Sequence, residues 1–322
     1  MRIGRYLVRR LLQLLPVLLV IATIQFALIQ LAPGDAALVI AGENQDPGYI
    51  AALRDRFGLD QPMPIQYVTY LANLARGDLG DSFTYGRPVI EVIWDRLGPT
   101  LLLLGISMVV AAVLGTALGT LLSRRVGGWL DVSASIVAIG SYSIPVFWLG
   151  LVLILIFGVW LRVLPTSGFM SVTGTHGPFG IVGDVAAHLV LPVATLASVY
   201  VGQYMRLARS SVRDALREDF VSAARAMGFS ERTILFRYAL RNALLPIVTV
   251  FGLHMGLVLA GAVLTETVFS WPGIGTLLYQ AILARDVPLV TGAYFVVAVT
   301  VVLAALITDL VYAMLDPRVE YR

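Results

Sequence analysis

The sequence predicts an all-α, polytopic membrane protein with six transmembrane helices. Of the 322 residues, 58% are hydrophobic and only 13% are charged, whereas soluble domains usually carry about a quarter charged residues. Six apolar stretches are long enough to cross a bilayer core of about 30 Å as helices that rise about 1.5 Å per residue. None of the six contains Asp, Glu, Lys or Arg. A single water-soluble core cannot hide this much apolar surface, so lipid must cover the remainder.

The six predicted spans follow one another between charged or turn-rich segments. Proline interrupts several of them, which a helix bundle tolerates. The third is long enough to tilt, or to end early in the membrane interface. The first is expected to stay as an uncleaved anchor, because its apolar run exceeds the roughly 7–15 residues of a signal peptide. The spans are residues 11–31, 100–122, 132–160, 185–205, 244–265 and 287–308.

Arginine placement predicts the orientation of the chain. If the N-terminus is cytoplasmic, sixteen of the 23 arginines fall on inner segments, as the positive-inside rule requires. Both termini are therefore predicted to be cytoplasmic. The predicted organisation is a cytoplasmic tail with the first helix (1–32), an extracytoplasmic helical loop (33–99), a core of five helices (100–312) and a cytoplasmic tail (313–322).

Composition excludes several kinds of chemistry. The chain has no cysteine and no lysine, so it has no disulfide or thiolate metal site, and no P-loop lysine for ATP. His176, His188 and His254 are scattered, so their spacing predicts no metal site. A proton-coupled carrier would place Asp or Glu inside the spans, but Asp309 lies only at the inner edge of the last one. His254 is the only ionisable residue deep in a span, which excludes an intramembrane hydrolase.

The outer loop is predicted to form short amphipathic helices. Asp46 supplies an N-cap with Pro47 at the first helical position, and Gly58 closes that helix,. A second helix runs over 64–76 and stops at Gly77, and a third runs over 88–97. The loop carries nine acidic residues and five arginines. It is either a cap on which a binding protein docks or a packing element for the first helix.

Small residues recur at every fourth position in two spans. Such faces let helices approach closely within lipid, and they predict tight packing in a bundle or against a second membrane subunit. The residues are Ala111, Gly115 and Gly119, and then Gly252, Gly256 and Ala260.

The inner loop between the fourth and fifth spans predicts a compact lever, defined here as residues 219–246. Asp219 is predicted to cap a two-turn helix that Gly228 ends, and Ser230 to cap a second helix running to Pro246,. A helix this short needs a partner to pack on. Its exposed surface fits a groove in a cytosolic motor protein, or alternatively a layer of anionic lipid headgroups. The predicted exposed apolar residues are Phe220, Ala223, Ala224 and Met227.

Two further sets of residues are candidates for the transport path. The first set is polar and aromatic and either lines the path or anchors the membrane interface; His254 is expected to act mainly as a packing or hydrogen-bonding residue. The second set follows the fifth span and forms either a small re-entrant outer gate or an ordinary hairpin. The path candidates are Tyr142, Gln203, Tyr204 and His254, and the gate candidates are Glu266, Trp271, Pro272 and Gly273.

The inner loop, taken as residues 214–246, resembles the EAA loop of ABC importer permeases. The resemblance rests on Ser222-Ala223-Ala224, followed by Gly228 and by Leu240 twelve residues later. Ser222 stands where the general motif has Glu, and Arg241 stands where it has Pro. The resemblance implies that the loop docks into an ATPase subunit. The implied coupling residues are Phe220, Ser222, Ala223, Ala224, Arg225, Met227, Gly228, Phe229 and Ser230.

Further segments are similar to one subfamily, the B-type permeases of dipeptide, oligopeptide and nickel importers. The likeness extends over essentially the whole chain. These segments are residues 31–35, 58–62, 76–80, 143–150, 238–246, 266–275 and 315–318.

The resemblance implies a type I ABC importer permease that is not itself an enzyme and binds no cofactor. It implies a C-type permease partner, two cytosolic ATPase subunits that bind ATP and Mg, and an extracytoplasmic substrate-binding protein. No nucleic acid is implied. Di- or oligopeptides are the expected cargo, with nickel, glutathione or oligosaccharide as alternatives.

Overall fold

The computed structural model describes residues 2–31, 36–41, 46–57, 59–124, 127–171 and 177–315. Within these ranges the chain is helical apart from turns and one antiparallel hairpin, which confirms the predicted all-α class. The α-helices are α1 (Arg2–Leu31), α2 (Ala36–Ala41), α3 (Pro47–Phe57), α4 (Met63–Ala75), α5 (Val89–Leu122), α6 (Trp129–Ser143), α7 (Val146–Leu153), α8 (Pro178–Ala215), α9 (Asp219–Ala226), α10 (Glu231–Thr233), α11 (Leu240–Val268), α12 (Ile274–Leu283) and α13 (Val287–Leu315). The hairpin strands are β1 (Asp81–Ser82) and β2 (Arg87–Pro88).

Two π-helical segments, Ile154–Trp160 and Ile234–Ala239, continue α7 and join α10 to α11. In each, the residue after the segment donates to the carbonyl five positions earlier, as in Leu161 N to Ile156 O at 2.9 Å. This wider turn distinguishes a π-helix from an α-helix. The sequence pattern did not predict either segment.

The predicted spans correspond to long apolar helices, with one correction. Among the described residues, five helices are long and apolar enough to cross a membrane, or six if one bent pair of helices counts as a single span. The third span, predicted as one stretch, consists of α6 and α7 bent by 104° at residues 144–145. Ile144 has extended backbone, with ψ of 128°, because proline disfavours the α conformation in the residue before it. Pro145 is itself extended, with ψ of 130°, as the N-cap of α7.

The chain divides into two compact units, which are described separately. The first contains the described residues of Met1–Thr100 and Pro272–Leu306, and the second those of Leu101–Trp271 and Ile307–Glu320.

The outer-loop predictions hold for two of three helices. Asp46 Oδ2 accepts from Tyr49 N at 2.9 Å at the start of α3, and α4 ends before Gly77, whose φ is +77°. Gly58 lies outside the described residues. The predicted third helix over 88–97 is wrong as a separate element, because α5 begins at Val89 and continues through Pro99 into the second span.

The core of the first unit joins the start of α5 to α12 and α13. Thr100 Oγ1 accepts from Ile274 N at 2.8 Å, which satisfies a first-turn amide of α12,. Asp286 is fully buried; it accepts from Leu289 N at 3.2 Å as the N-cap of α13 and from Ser82 Oγ at 2.5 Å in the hairpin. The buried apolar residues are Val89, Val92, Ile93, Ile274, Leu277, Leu278, Ala281, Leu289 and Ala293.

In the second unit, α5 packs closely on α8 through the predicted small residues. A Cβ on Gly115 would lie 2.5 Å from Tyr204 Cβ, and a Cβ on Gly119 would contact the backbone of α8 at Met205. Gly252 has the same role against Thr308. Gly256 and Ala260 lie outside the described side chains.

Candidate coupling loop, path residues and outer turn

The lever begins with a two-turn helix, α9, as predicted. Its N-cap is Glu218, with φ of −73° and ψ of 153°, so the predicted cap at Asp219 was one residue too late. Asp219 instead lies in the first turn, where its charge faces the positive end of the helix dipole.

Gly228 ends α9 in the left-handed conformation, as predicted. Its φ is +80°. Gly228 N donates to Arg225 O at 2.9 Å, and Phe229 N donates to Ala224 O at 3.2 Å. These two bonds are the Schellman pattern, which satisfies the last carbonyls of a helix. The chain therefore turns sharply at the glycine.

The second helix of the lever starts at the predicted residue. Ser230 Oγ accepts from Thr233 N at 3.3 Å, and Glu231 occupies the first turn of α10. The chain then continues through the π-helical segment and α11 without stopping at Pro246, which lies inside α11. The lever is thus covalently continuous with the fifth span through helical backbone.

The face that α9 exposes differs from the predicted one. Val221 and Ala224 are buried against Ile234, and Phe220 is partly buried in the same cluster. The predicted exposure of Ala224 and Phe220 is therefore wrong, because the π-helical segment packs on that side. The coupling candidates that are exposed are Ser222, Ala223, Arg225, Met227, Gly228, Phe229 and Ser230.

An exposed ion pair spans the glycine corner. Arg225 Nε donates to Glu231 Oε1 at 2.8 Å, and Arg225 Nη2 donates to Glu231 Oε2 at 3.3 Å. The hydrogen bond and charge of Glu231 raise the pKa of the Arg225 guanidinium above its ordinary value. The sequence pattern does not predict this pair, since spacing across a left-handed corner follows no helical repeat.

The base of the lever is a small apolar core shared with α8. Leu216, Phe220 and Leu240 pack around it. The buried members are Val212 and Ala215 of α8 with Leu235, Ala239 and Ala243. The lever and the end of α8 therefore share one packed core.

The structure brings two of the four path candidates together. His254 Nδ1 lies 3.2 Å from the Tyr204 hydroxyl, and the His254 ring lies 5.0 Å from that of Tyr200. Tyr142 is exposed at the end of α6 and Gln203 is half-buried. In the part of the chain that the structure describes, neither hydrogen-bonds to the Tyr204–His254 pair.

The other histidines do not converge on a site. His188 is buried, with Nδ1 2.8 Å from Asp184 O, and His176 lies outside the described residues. Within the described ranges, no group of three or more His, Asp or Glu side chains is placed to hold a metal ion.

The outer turn after α11 is closed by a second Schellman pattern. Trp271 N donates to Glu266 O at 2.8 Å, and Ser270 N donates to Thr267 O at 3.2 Å. Here a non-glycine residue, Ser270, adopts the left-handed conformation, with φ of +49°. The side chain of Glu266 is fully buried.

Neighbouring segments of the second unit hold this turn. The Trp271 ring is buried and its centroid lies 4.9 Å from that of Phe169, and Gly168 N donates to Phe269 O at 2.9 Å. A Cβ on Gly150 of α7 would lie 3.1 Å from the Phe269 ring. The remaining gate candidates belong to the first unit, where Gly273 is buried immediately before α12 and Pro272 is half-buried.

Comparisons with known proteins identify the family. Residues 113–321 match the family described as binding-protein-dependent transport system inner membrane component. Residues 3–104 match the N-terminal region of such membrane components.

Curated relatives match over nearly their full length. The dipeptide transport system permease protein DppB of Alkalihalophilus pseudofirmus is 38% identical, with 98% of this chain and 99% of that protein covered. The oligopeptide transport system permease protein AppB of Bacillus subtilis and the glutathione transport system permease protein GsiC of Salmonella paratyphi A are each 37% identical, with the same coverage.

A solved structure shares the fold. A chain of the inward-facing MetNI methionine ABC transporter matches with a TM-score of 0.56 and 18% identity, covering 70% of this chain and 97% of that one. Together with the apolar helices and the family match, these similarities are decisive. The chain belongs to the binding-protein-dependent transport system inner membrane components and is a multi-pass permease subunit of an ABC importer in the bacterial inner membrane.

Proposed function

We propose that this permease imports di- or oligopeptides and that two cytosolic ATPase subunits drive it through the lever. The observation that carries the coupling role is the exposed apolar surface beside the glycine corner. Met227 is 67% exposed and Phe229 is 41% exposed, and both lie just after α9, a helix too short to be stable alone,. Exposed apolar side chains on such an element favour a protein partner over solvent.

The ATPase activity is assigned to partner chains on chemical grounds. A P-loop uses a lysine to hold the β- and γ-phosphates, and this chain contains no lysine. ATP and Mg would therefore bind on the cytosolic subunits. The remaining proposed partners are an extracytoplasmic binding protein, which the family description implies, and a second, C-type permease. The outer helices α3 and α4 are a candidate dock for that binding protein.

The cargo is assigned from the relatives. The relatives named above are called dipeptide and oligopeptide permeases, and one is called a glutathione permease. All three names denote short peptides or a peptide derivative, so di- or oligopeptides are the proposed cargo. Glutathione is the second candidate, ahead of nickel and oligosaccharide.

The proposed transport path and outer gate lie in different parts of the chain. The Tyr204–His254 pair offers hydrogen-bonding groups within the helices, and its half-buried member, His254, would contact cargo. The outer turn at Glu266–Trp271, extended by Pro272 and Gly273, would close the outer end. Its support is the buried Trp271 ring and the hydrogen bond from Gly168.

The orientation is tested by labelling single cysteines, since the natural chain has none. Met227→Cys on the lever and Asp60→Cys in the outer loop are both exposed positions. With a membrane-impermeant maleimide, we expect Met227→Cys to react only from the cytosolic side and Asp60→Cys only from the outer side. Reaction of Met227→Cys from outside would exclude a cytosolic motor as its partner.

The coupling role is tested with the same two variants in the assembled complex. A bifunctional thiol-to-amine reagent on Met227→Cys should cross-link the permease to an ATPase subunit, whereas Asp60→Cys should give no such product. If the purified chain retains no ATP-binding subunit and Met227→Cys yields no cross-link, the proposed coupling is wrong.

The cargo is tested with the complex in liposomes, together with its binding protein. We expect dipeptides or oligopeptides to stimulate ATP hydrolysis and to accumulate inside. Stimulation by nickel or by an oligosaccharide, with no response to any peptide, would overturn the peptide assignment and leave the permease assignment intact.

A further inference from the structure

A buried ion pair joins the start of α6 to the last turns of α8. Asp131, in the first turn of α6, is 4% exposed. One carboxylate oxygen accepts from Gly127 N at 2.9 Å, and the other accepts from Arg209 Nη1. The Arg209 side chain is also largely shielded, at 28% exposure. The Asp131 carboxylate is thus shielded by its surroundings, and the partly exposed Arg209 guanidinium compensates its charge.

A second contact fixes the same two helices two turns away. Ala138 lies seven residues after Asp131, and Gly202 lies seven residues before Arg209, which is about two helical turns in each case. A Cβ on Gly202 would lie 2.7 Å from Ala138 Cβ. The two contacts fit one antiparallel register, so α6 lies along α8 from Asp131 to Ala138.

The same end of α8 forms the base of the lever. Val212, three residues after Arg209, is fully buried in the apolar core with Leu235 and Ala239 of the π-helical segment. Residues three apart on a helix lie on neighbouring parts of one face. Within one turn, α8 therefore contacts the lever on one side and holds α6 through Arg209.

We infer that Asp131 and Arg209 are positioning residues that carry movement of the lever to the broken third span. Separating the two side chains would leave an uncompensated buried charge, which is strongly unfavourable. The pair therefore stays closed while the end of α8 moves, and α6 follows α8. This inference rests on the proposed coupling through the lever. It assigns a mechanical role to two residues outside the lever.

The test uses variants that remove the charge and keep the shape. Asp131→Asn retains an oxygen that accepts from Gly127, and Arg209→Gln shortens the partner without a charge. We expect both complexes to assemble and hydrolyse ATP, while cargo imported per ATP hydrolysed falls at least about 5-fold, the lower end of coupling between distant sites. In the double variant, cargo imported per ATP hydrolysed should be no lower than in either single variant, because the same interaction is lost in all three.

A rescue experiment separates linkage from general stability. Arg209→Lys keeps a positive charge and should retain most of the import per ATP. In the chain carrying both Asp131→Cys and Arg209→Cys, the ratio should be low until a short bifunctional thiol reagent joins the two positions. The natural chain has no cysteine to compete. A purely structural role would restore stability on cross-linking without changing this ratio.

Arg213→Gln is the matched control, because Arg213 is an exposed arginine one turn further along α8. It should leave the ratio unchanged. If Asp131→Asn and Arg209→Gln assemble and import as much cargo per ATP as the unmodified complex, the inference is wrong. If the unmodified permease binds no ATPase subunit, the proposed function fails instead, and the two failures are distinguishable.

Discussion

Single residues at helix ends decide where this chain turns. Helices α4, α9, α11 and α12 all end with the same pair of capping hydrogen bonds. The left-handed residue is glycine in α4 and α9, at Gly77 and Gly228, but it is Ser270 after α11 and Arg285 after α12. A side chain in this conformation costs about 1–2 kcal/mol relative to the right-handed one.

Replacing the two left-handed side chains by glycine should stabilise the protein. We expect Ser270→Gly and Arg285→Gly each to raise the free energy of unfolding by up to about 1 kcal/mol. Both residues are exposed, and the relief of about 1–2 kcal/mol of backbone strain exceeds the roughly 0.5–1 kcal/mol that the greater freedom of glycine in the unfolded chain costs. Thermal denaturation of the solubilised protein measures this. A lower melting temperature for both variants would show that these side chains make stabilising contacts.

Gly228→Ala should destabilise the glycine corner of the lever and thereby weaken binding of the ATPase subunits. A Cβ at Gly228 meets no atom within 4 Å, so the variant adds about 1–2 kcal/mol of backbone strain and no clash. We expect weaker retention of the ATPase subunits on purification of the complex. Gly77→Ala is the control, since Gly77 has φ of +77° and equal space; it should lower thermal stability similarly and leave ATPase retention unchanged.

At the scale of elements, hydropathy and helix-capping residues predicted the spans, the two-turn helix and its glycine corner. These features depend on local residues, such as Pro47, Gly228 and Ser230. The break of the third span was not predicted, because proline is tolerated inside other helices of this chain, such as α8 and α11. The burial of Ala224 was missed because it depends on a neighbour ten residues away, Ile234.

Two glycines on α5 offer a matched test of helix packing. Gly115→Leu should destabilise the protein by about 1–3 kcal/mol, since its Cβ would lie 2.5 Å from Tyr204 Cβ,. Gly105→Leu on the same helix should be tolerated, because a Cβ there meets no atom within 4 Å. Melting temperatures of the two variants check this. Equal destabilisation by both would show that loss of glycine, and not the approach of α8, is responsible.

At the scale of the whole molecule, charge and composition predict the orientation of the chain and the chemistry left to its partners. The arginines predict which side of the membrane each segment faces, and the missing lysine predicts where ATP is bound. Both predictions follow from the sequence without knowledge of the fold. The register between α6 and α8, which brings Asp131 to Arg209, has no counterpart in composition and emerges only from the packed chain.

The proposal that ATP is hydrolysed only on partner chains gives a direct prediction. The purified permease alone should hydrolyse no ATP, because it has no P-loop lysine,. Hydrolysis should appear when the ATPase subunits are added and disappear when their own P-loop lysine is replaced by alanine. ATP turnover by the isolated permease, at a rate that survives further purification, would contradict this assignment.

The bend of the third span also determines what surrounds it. In the described chain, Ile144 N bonds back into α6 and Leu149 N bonds to Pro145 O, but no main-chain bond bridges the gap between the two helices. The amides of Val146 to Trp148 and the last carbonyls of α6 thus need other partners, and hydrocarbon tails offer none. This stretch must be shielded from acyl chains by water or by an adjoining subunit. Rapid deuterium uptake at Val146–Trp148 in the isolated chain, slowed on assembly, would identify a subunit as the shield.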